Sequence, residues 1–208
     1  TDKKLLAFSN LGYAYSLNAE DVPECKWKDK GALPAKVFNG IQPEEKIVHI
    51  ISYKELPEGK LYFYTKNGLI KCSEFSEYAV KKSRYAAITL KAGDCLIGVE
   101  PVREGGSVLF ISQKGMSLNM IKEDIPVTGR VSSGVKAMSL DDGDSIILAS
   151  QCDGEGEIIV WTEKGYAKRS LCVDYELSVR NRKGLKTFDF KKISLLPPFY
   201  LVISSLLL

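Results

Sequence analysis

IIVWTEKGYAKRS, residues 158–170, is the stretch whose reading decides the fold. Ile158, Ile159, Val160 and Trp161 come first, then Thr162, two charged residues, Gly165 and a second strand-like run. β-Branched and aromatic residues suit a pleated, largely buried strand. Gly165 supplies the positive φ that a tight hairpin loop needs. One such hairpin is weak evidence, but this one occurs four times. LLAFS at 5–9 leads to Gly12, LYFYT at 61–65 to Gly68 and VLFIS at 108–112 to Gly115. In every copy Ser or Thr closes the apolar run and Gly follows three residues later. The glycines are 68 − 12 = 56, 115 − 68 = 47 and 165 − 115 = 50 residues apart. A recurrence at this period signals stacked or radially repeated units, each unable to bury its apolar face alone.

A second motif repeats in phase. LKAGD at 90–94 is matched by LDDGD at 140–144, with apolar strands on both sides: 85–90 and 95–99, then 135–140 and 146–149. Glycine followed by aspartate makes a turn between two strands. The first repeat carries a variant, IQPEE at 41–45, and the fourth carries GLKTF at 184–188 before losing the Gly-Asp turn at Ile193-Ser194. Each unit is therefore about four strands, the length of a propeller blade. The expected fold is all-β, with helix confined to a turn or two in the connections.

Outward from these motifs, the 208 residues divide into one domain of four blades, about 4–53, 60–102, 107–150 and 157–203. The first blade has an enlarged connection, 18–34, between a strand at 13–17 and one expected at 35–38. That connection holds Lys26, Lys28 and Lys30 around Trp27. The second blade's connection carries Lys81, Lys82 and Arg84, and the third's carries Lys122, Arg130 and then Lys136. Lys168, Arg169, Arg180, Arg182, Lys183 and Lys186 belong to the fourth. Net charge is only +3, so the informative feature is where the cations fall: the hairpin's second strand and the loop before the third.

Several chemistries have no sequence support. Five cysteines (Cys25, Cys72, Cys95, Cys152, Cys172) lack CxxC spacing and read as small core or strand residues of a reducing compartment. The lone histidine, His49, sits in an apolar run and reads as a strand residue with no nucleophile partner. Asp141, Asp142 and Asp144 lack the twelve-residue calcium-loop spacing and read as a turn. Neither a P-loop nor a dinucleotide-binding glycine pattern is present. No catalytic residue, metal or cofactor is expected. The apolar tail, 195–208, is too short and too proline-broken to span a bilayer as a helix, so it reads as a last strand with an irregular end. The start at Thr1 predicts a piece of a longer protein.

With these motifs in order, the chain resembles the C-terminal domain of the A subunit of bacterial type IIA topoisomerases, the gyrase and topoisomerase IV group. The resemblance rests on TEKGYAKR at 162–169, SGVKAM at 133–138 with 140–144, and 33–46, and covers about residues 4–192. It implies a β-pinwheel, a disc of four-stranded blades that exchange a strand between neighbours, whose basic outer rim binds and bends duplex DNA. The reaction belongs to a tyrosine elsewhere in the A subunit, so this chain is implied to be non-catalytic within an ATP-dependent enzyme. The implied partners are the ATPase B subunit, the rest of the A subunit, and DNA in the bacterial cytoplasm and nucleoid, with no membrane. Gyrase carries a first-blade box, QRRGGKG. CKWKDKG at 25–31 resembles it but puts Lys28 and Asp29 where the glycine pair stands. Four repeats are also fewer than gyrase typically has. Both departures favour a topoisomerase IV-like subunit over a gyrase wrapping domain. Arg84 stands where a glycine is expected beside Tyr85, which predicts a locally different second rim.

Two other functions stay open on the residues alone. A propeller-like protein-interaction scaffold would leave the cations as a solvated face. An enzyme would need an unrecognised site. Cations in phase with the repeat favour the DNA-binding reading over the first.

Overall fold

The Ser/Thr-to-Gly spacing is a hydrogen-bonded device used four times. In each hairpin the carbonyl of Ser9, Thr65, Ser112 or Thr162 accepts the N–H of the glycine three residues on, at 3.0, 3.1, 3.0 and 2.9 Å. The hydroxyl of the same residue accepts the next N–H, from Tyr13, Leu69, Met116 or Tyr166, at 3.1–3.3 Å. The four glycines take φ between +80° and +82°, the left-handed region open to a residue without Cβ. The Gly-Asp motif locks that loop. Asp144 accepts the N–H of Lys114 at 2.9 Å, and Asp94 accepts the equivalent N–H of Asn67 at 2.9 Å. In the first repeat the roles invert: Asn10 of the hairpin loop accepts the N–H of Lys46 at 2.7 Å.

The computed structural model describes residues 2–162, 165–188 and 199–204. The first repeat supplies β1 (Lys4–Ser9), β2 (Tyr13–Asn18) and β3 (Ile47–Tyr53). The second supplies β4 (Lys60–Thr65), β5 (Leu69–Glu74), β6 (Arg84–Ala86) and β7 (Leu96–Pro101). The third supplies β8 (Ser107–Ser112), β9 (Met116–Ile121), β10 (Val135–Lys136) and β11 (Ile146–Cys152). The fourth supplies β12 (Glu157–Thr162), β13 (Ala167–Leu171), β14 (Leu177–Ser178), β15 (Leu185–Lys186) and β16 (Phe199–Ser204). A 3-10 turn follows the second strand of every hairpin, at Ala19–Asp21, Phe75–Tyr78, Lys122–Asp124 and Cys172–Asp174.

Strand exchange joins the repeats. The sheets run β3-β1-β2-β6, β10-β5-β4-β7, β11-β8-β9-β14 with β15 also on β9, and β13-β12-β16. Thus β6 leaves the second repeat to pair with β2, β10 leaves the third to pair with β5, and β14 and β15 leave the fourth to pair with β9. The hairpin glycine receives each arrival. Gly12 O accepts from Ala87 and Ile88, Gly68 O from Ala137 and Met138, and Gly115 O from Thr187 and Phe188, at 2.8–3.2 Å. The arriving strands are shorter than the apolar runs at 85–90 and 135–140 suggest, because the chain turns off the sheet edge to make these bonds.

Between successive sheets lie three apolar layers. The first holds Leu6, Phe8, Phe63, Phe75 and Tyr78, the second Tyr64, Ile70, Phe110, Leu118 and Met138, and the third Leu109, Ile111, Ile158 and Val160. Phe8 meets Phe63 edge-on at 5.3 Å between ring centroids, and Phe63 stacks on Tyr78 at 5.4 Å. Strands β3, β7, β11 and β16 contact one another in sequence. They form the inner edges, and the exchanged strands lie at the opposite, peripheral edges.

Three sequence expectations need correction. Residues 35–38 are not a strand: Pro34–Val37 is one turn of α-helix, α1, with Pro34 in the first turn and Phe38 N–H bonded to Pro34 O at 2.8 Å. Proline's fixed φ and missing N–H suit that position. Cys25 is not a core or strand residue but lies in an exposed loop, and Cys95 is half-buried just before β7, whereas Cys72, Cys152 and Cys172 are buried. The strand expected at 95–99 runs from Leu96 to Pro101. Of the C-terminal tail, Phe199–Ser204 is a strand paired with β12. The lost turn at Ile193-Ser194, the loop residues Glu163 and Lys164, and the tail's end lie outside the described residues. No described helix is long and apolar enough to cross a membrane.

Candidate nucleic-acid interface

The exchange geometry puts the cations of different repeats in equivalent places. After its 3-10 turn the chain of the second, third and fourth repeats returns to the preceding sheet as a short exchanged strand, and in the third and fourth it first runs along that sheet's outer edge. In the third repeat Thr128 N–H bonds to Cys72 O at 2.8 Å before the chain returns through Gly134 into β10. In the fourth, β14 lies parallel to β9 and β15 returns antiparallel. The return loops hold Lys81 and Lys82 in the second repeat, Arg130 in the third, and Arg180, Arg182 and Lys183 in the fourth. Lys136 and Lys186 extend from the exchanged strands, and Lys168 and Arg169 from the edge strand β13. All of these except Arg130 are exposed.

Their surroundings differ. Arg169 pairs with Glu157 at 3.1 Å and Lys183 with Asp141 at 2.5 Å. The ion pair holds the Asp141 carboxyl below the usual carboxylate range. Lys168, Arg182, Lys183 and Lys186 line one groove of about 530 Å³ between β9 and β13, with Asp174 and Glu176 on its wall. Two arginines turn inward instead. Arg84 lies 3.6 Å over the Tyr13 ring, donates to Tyr15 Oη at 2.9 Å and reaches Glu45 at 3.5 Å. It fills the place that Gly134 and Gly184 hold in the following repeats, which is the local difference that the missing glycine foretells. Arg130 bonds the Ala86 carbonyl and lies 5.3 Å over the Tyr85 ring.

In the first repeat the segment after the 3-10 turn stays exposed as the loop 22–33, with Lys26, Lys28, Lys30 and Trp27 in solvent. Asp29 closes a turn there, accepting Lys26 N–H at 2.9 Å while its own N–H donates to Lys26 O at 2.8 Å.

Sequence reasoning missed Lys71. It is 1% exposed, donating to Tyr78 Oη at 2.7 Å and Ala87 O at 2.9 Å, with its ammonium 4.3 Å from the Phe63 ring centroid. Burial, then the nearby Arg130 charge, push its pKa down to about 7. Lys71 occupies the same place after the hairpin glycine as exposed Lys168, so position alone does not separate them. The signal available was a lysine between Ile70 and Cys72, opposite the aromatic run of the preceding strand. His49, half-buried in β3, has its pKa lowered by burial.

This architecture has known relatives. A family described as DNA gyrase C-terminal domain, beta-propeller, matches residues 3–54, 106–153 and 156–192. The DNA gyrase A subunit of Staphylococcus epidermidis is 34% identical over 194 residues, which are 90% of this chain and 21% of that protein. The DNA topoisomerase 4 A subunit of Bacillus subtilis is 29% identical over 190 residues, 89% of this chain and 23% of that protein. The chain thus spans about a fifth of the length of these relatives. Among solved structures, the C-terminal domain of DNA topoisomerase IV superposes with TM-score 0.90 at 23% identity, over 99% of this chain and 64% of that one. A DNA gyrase A C-terminal domain superposes with TM-score 0.72 at 24% identity, over 99% and 66%. At these identities the superpositions speak for the fold, and the sequence matches for descent. The four-sheet, strand-exchanged chain therefore belongs to the DNA gyrase C-terminal domain family, the β-propeller-like domain of type IIA topoisomerase A subunits.

Proposed function

We propose that this chain is a single, non-catalytic domain that binds duplex DNA on its peripheral edge and bends it, within the A subunit of a type IIA topoisomerase. One observation carries the reading. Exposed cations recur on the return loops and exchanged strands of successive repeats, Lys81 and Lys82 in the second, Lys136 in the third, and Arg180, Arg182, Lys183 and Lys186 in the fourth, so a duplex following the edge would meet positive charge at each step. Such contacts go to phosphates and need no base readout. Bending a short duplex costs of order 1–6 kcal/mol, which successive phosphate contacts offset. The domain presents the transported DNA segment for relaxation or decatenation, with the remainder of the A subunit and the ATPase B subunit as its partners in the parent enzyme, in the bacterial cytoplasm. The first-repeat loop, with Lys28 and Asp29 in place of a glycine pair, supports relaxation or decatenation over gyrase-type wrapping.

A gel-shift titration across salt concentrations tests this. Binding should be sequence-independent and weaken steeply with salt as counterions are retained. Arg180→Ala with Arg182→Ala should lower affinity for all sequences alike and reduce the log–log salt slope by about two. Arg84→Ala should leave the slope nearly unchanged, because that guanidinium is held by Tyr13, Tyr15 and Glu45. An unaltered slope in the double variant would take the return loop off the DNA path.

A further inference from the structure

Trp27 is 89% exposed. Its neighbours from Cys25 to Leu33 are exposed or nearly so, and no apolar surface among the described residues covers the indole. The other tryptophan, Trp161, is half-buried in β12. The turn that carries the exposed ring is hydrogen-bonded. Two hydrogen bonds between Lys26 and Asp29 close the turn 26–29, which sets Trp27 and Lys28 at its two central positions. The Lys28 ammonium lies 5.2 Å from the indole centroid. Lys26 and Lys30 lie beside Trp27 and Lys28 in sequence, and Asp29, the acid nearest to Trp27 in sequence, already accepts a backbone N–H.

An exposed aromatic face set among lysines is complementary to a base face with phosphates on either side. We infer that Trp27 stacks on a base at an opened step of the duplex while Lys26, Lys28 and Lys30 hold the adjoining phosphates. This rests on the DNA-binding reading above. A duplex offers base faces only where a step is unstacked, and side chains that enter there kink it. Unstacking is easiest at pyrimidine–purine steps and at bulges, so the contact selects deformable sites without reading base edges. A lysine-bearing turn without the ring would bind all steps alike.

The test uses the full chain with Trp161→Phe, which leaves Trp27 as the sole indole. Two duplexes of equal length are titrated, one fully paired and one with a central single-base bulge. The expected result is quenching of indole emission on binding and tighter binding of the bulged duplex, on the order of ten-fold. Trp27→Ala should erase that preference while leaving the salt slope intact, and Trp27→Phe should keep part of it. Because the ring is exposed, neither change threatens folding. Unquenched emission, with equal preference in the Trp27→Ala protein and a normal salt slope, would overturn the stacking contact and leave the DNA-binding reading standing. Failure of either duplex to bind at low salt would overturn both. Quenching by the rest of the topoisomerase instead of by DNA would overturn the stacking contact too, placing the ring on a protein surface.

Discussion

Gly68 and Gly165 adopt the same left-handed backbone, φ +80° and +81°, yet differ in what surrounds them. A Cβ on Gly68 would lie 2.8 Å from the Met138 carbonyl of the exchanged segment, whereas one on Gly165 meets nothing within 4 Å among the described residues. Gly165→Ala should therefore cost only the backbone term, about 1–2 kcal/mol. Gly68→Ala should cost more, because it also pushes the arriving strand away. Urea unfolding of the two variants checks the order, and equal costs would mean that the exchanged strand yields freely. Lys71 makes a different prediction. Its pKa falls to about 7 in the folded protein, so the folded state binds fewer protons than the unfolded chain between pH 7 and the ordinary lysine value near 10.4. Stability should then rise with pH above 7, by up to about 1.4 kcal/mol per unit. Cys72, pushed up to about 11 by burial, opposes this above its ordinary value near 8.5, which leaves roughly pH 7–8.5 as the clean window. Lys71→Met should flatten the slope there. A slope unchanged in that variant would assign the effect elsewhere.

At the scale of elements, the hairpin and the Gly-Asp turn fold as one unit. Asp144 accepts from Lys114 N–H, Ser145 N–H and Ser112 Oγ, while Asp94 accepts from Asn67 and Cys95 N–H without a hydroxyl partner. Asp144→Ala should destabilise by about 1–3 kcal/mol, and more than Asp94→Ala, since it orphans one donor more. Faster amide exchange at Lys114 and Ser145 would localise the loss. These elements were legible in the sequence because their backbone demands a residue type at a fixed spacing: a hydroxyl, then glycine at three, and an aspartate after a glycine. Strand exchange was not legible from local pattern, since a run such as Val135-Lys136 reads the same whichever sheet receives it. Only the family resemblance implied it. The helical turn at Pro34–Val37 was misread because apolar alternation at 35–38 fits a short strand as well. The peripheral lysines were legible as a periodic set. Three basic residues that turn inward, Lys71, Arg84 and Arg130, could not be sorted from the others. Their burial depends on Tyr78, Tyr15 and Tyr85, which the fold brings to them.

Across the whole molecule, three apolar layers hold four sheets in sequence, and the cations lie at the edges those layers leave free. On the proposed function, a duplex following this edge would be bent, while a closed chiral wrap would also require one end to be held against the first sheet. In the resembling gyrase domains a glycine-rich basic box belongs at that place, and glycines let a backbone approach phosphates closely. Here the turn 26–29 carries side chains at all four positions, and it is fixed by the Asp29 carboxylate rather than left pliable. On the same proposal Lys26, Lys28 and Lys30 would still attract phosphate, so contact should persist while tight closure should not. The expected behaviour is bending with little net writhe. To check it, a closed circle is relaxed by a separate nicking-closing enzyme at increasing amounts of bound domain, and the linking number is counted after protein removal. Little change per bound domain is expected, together with a shortened end-to-end distance on linear DNA. A large positive shift proportional to bound protein would show that the lysine turn closes the wrap without glycines, and would assign this chain to a gyrase-type enzyme.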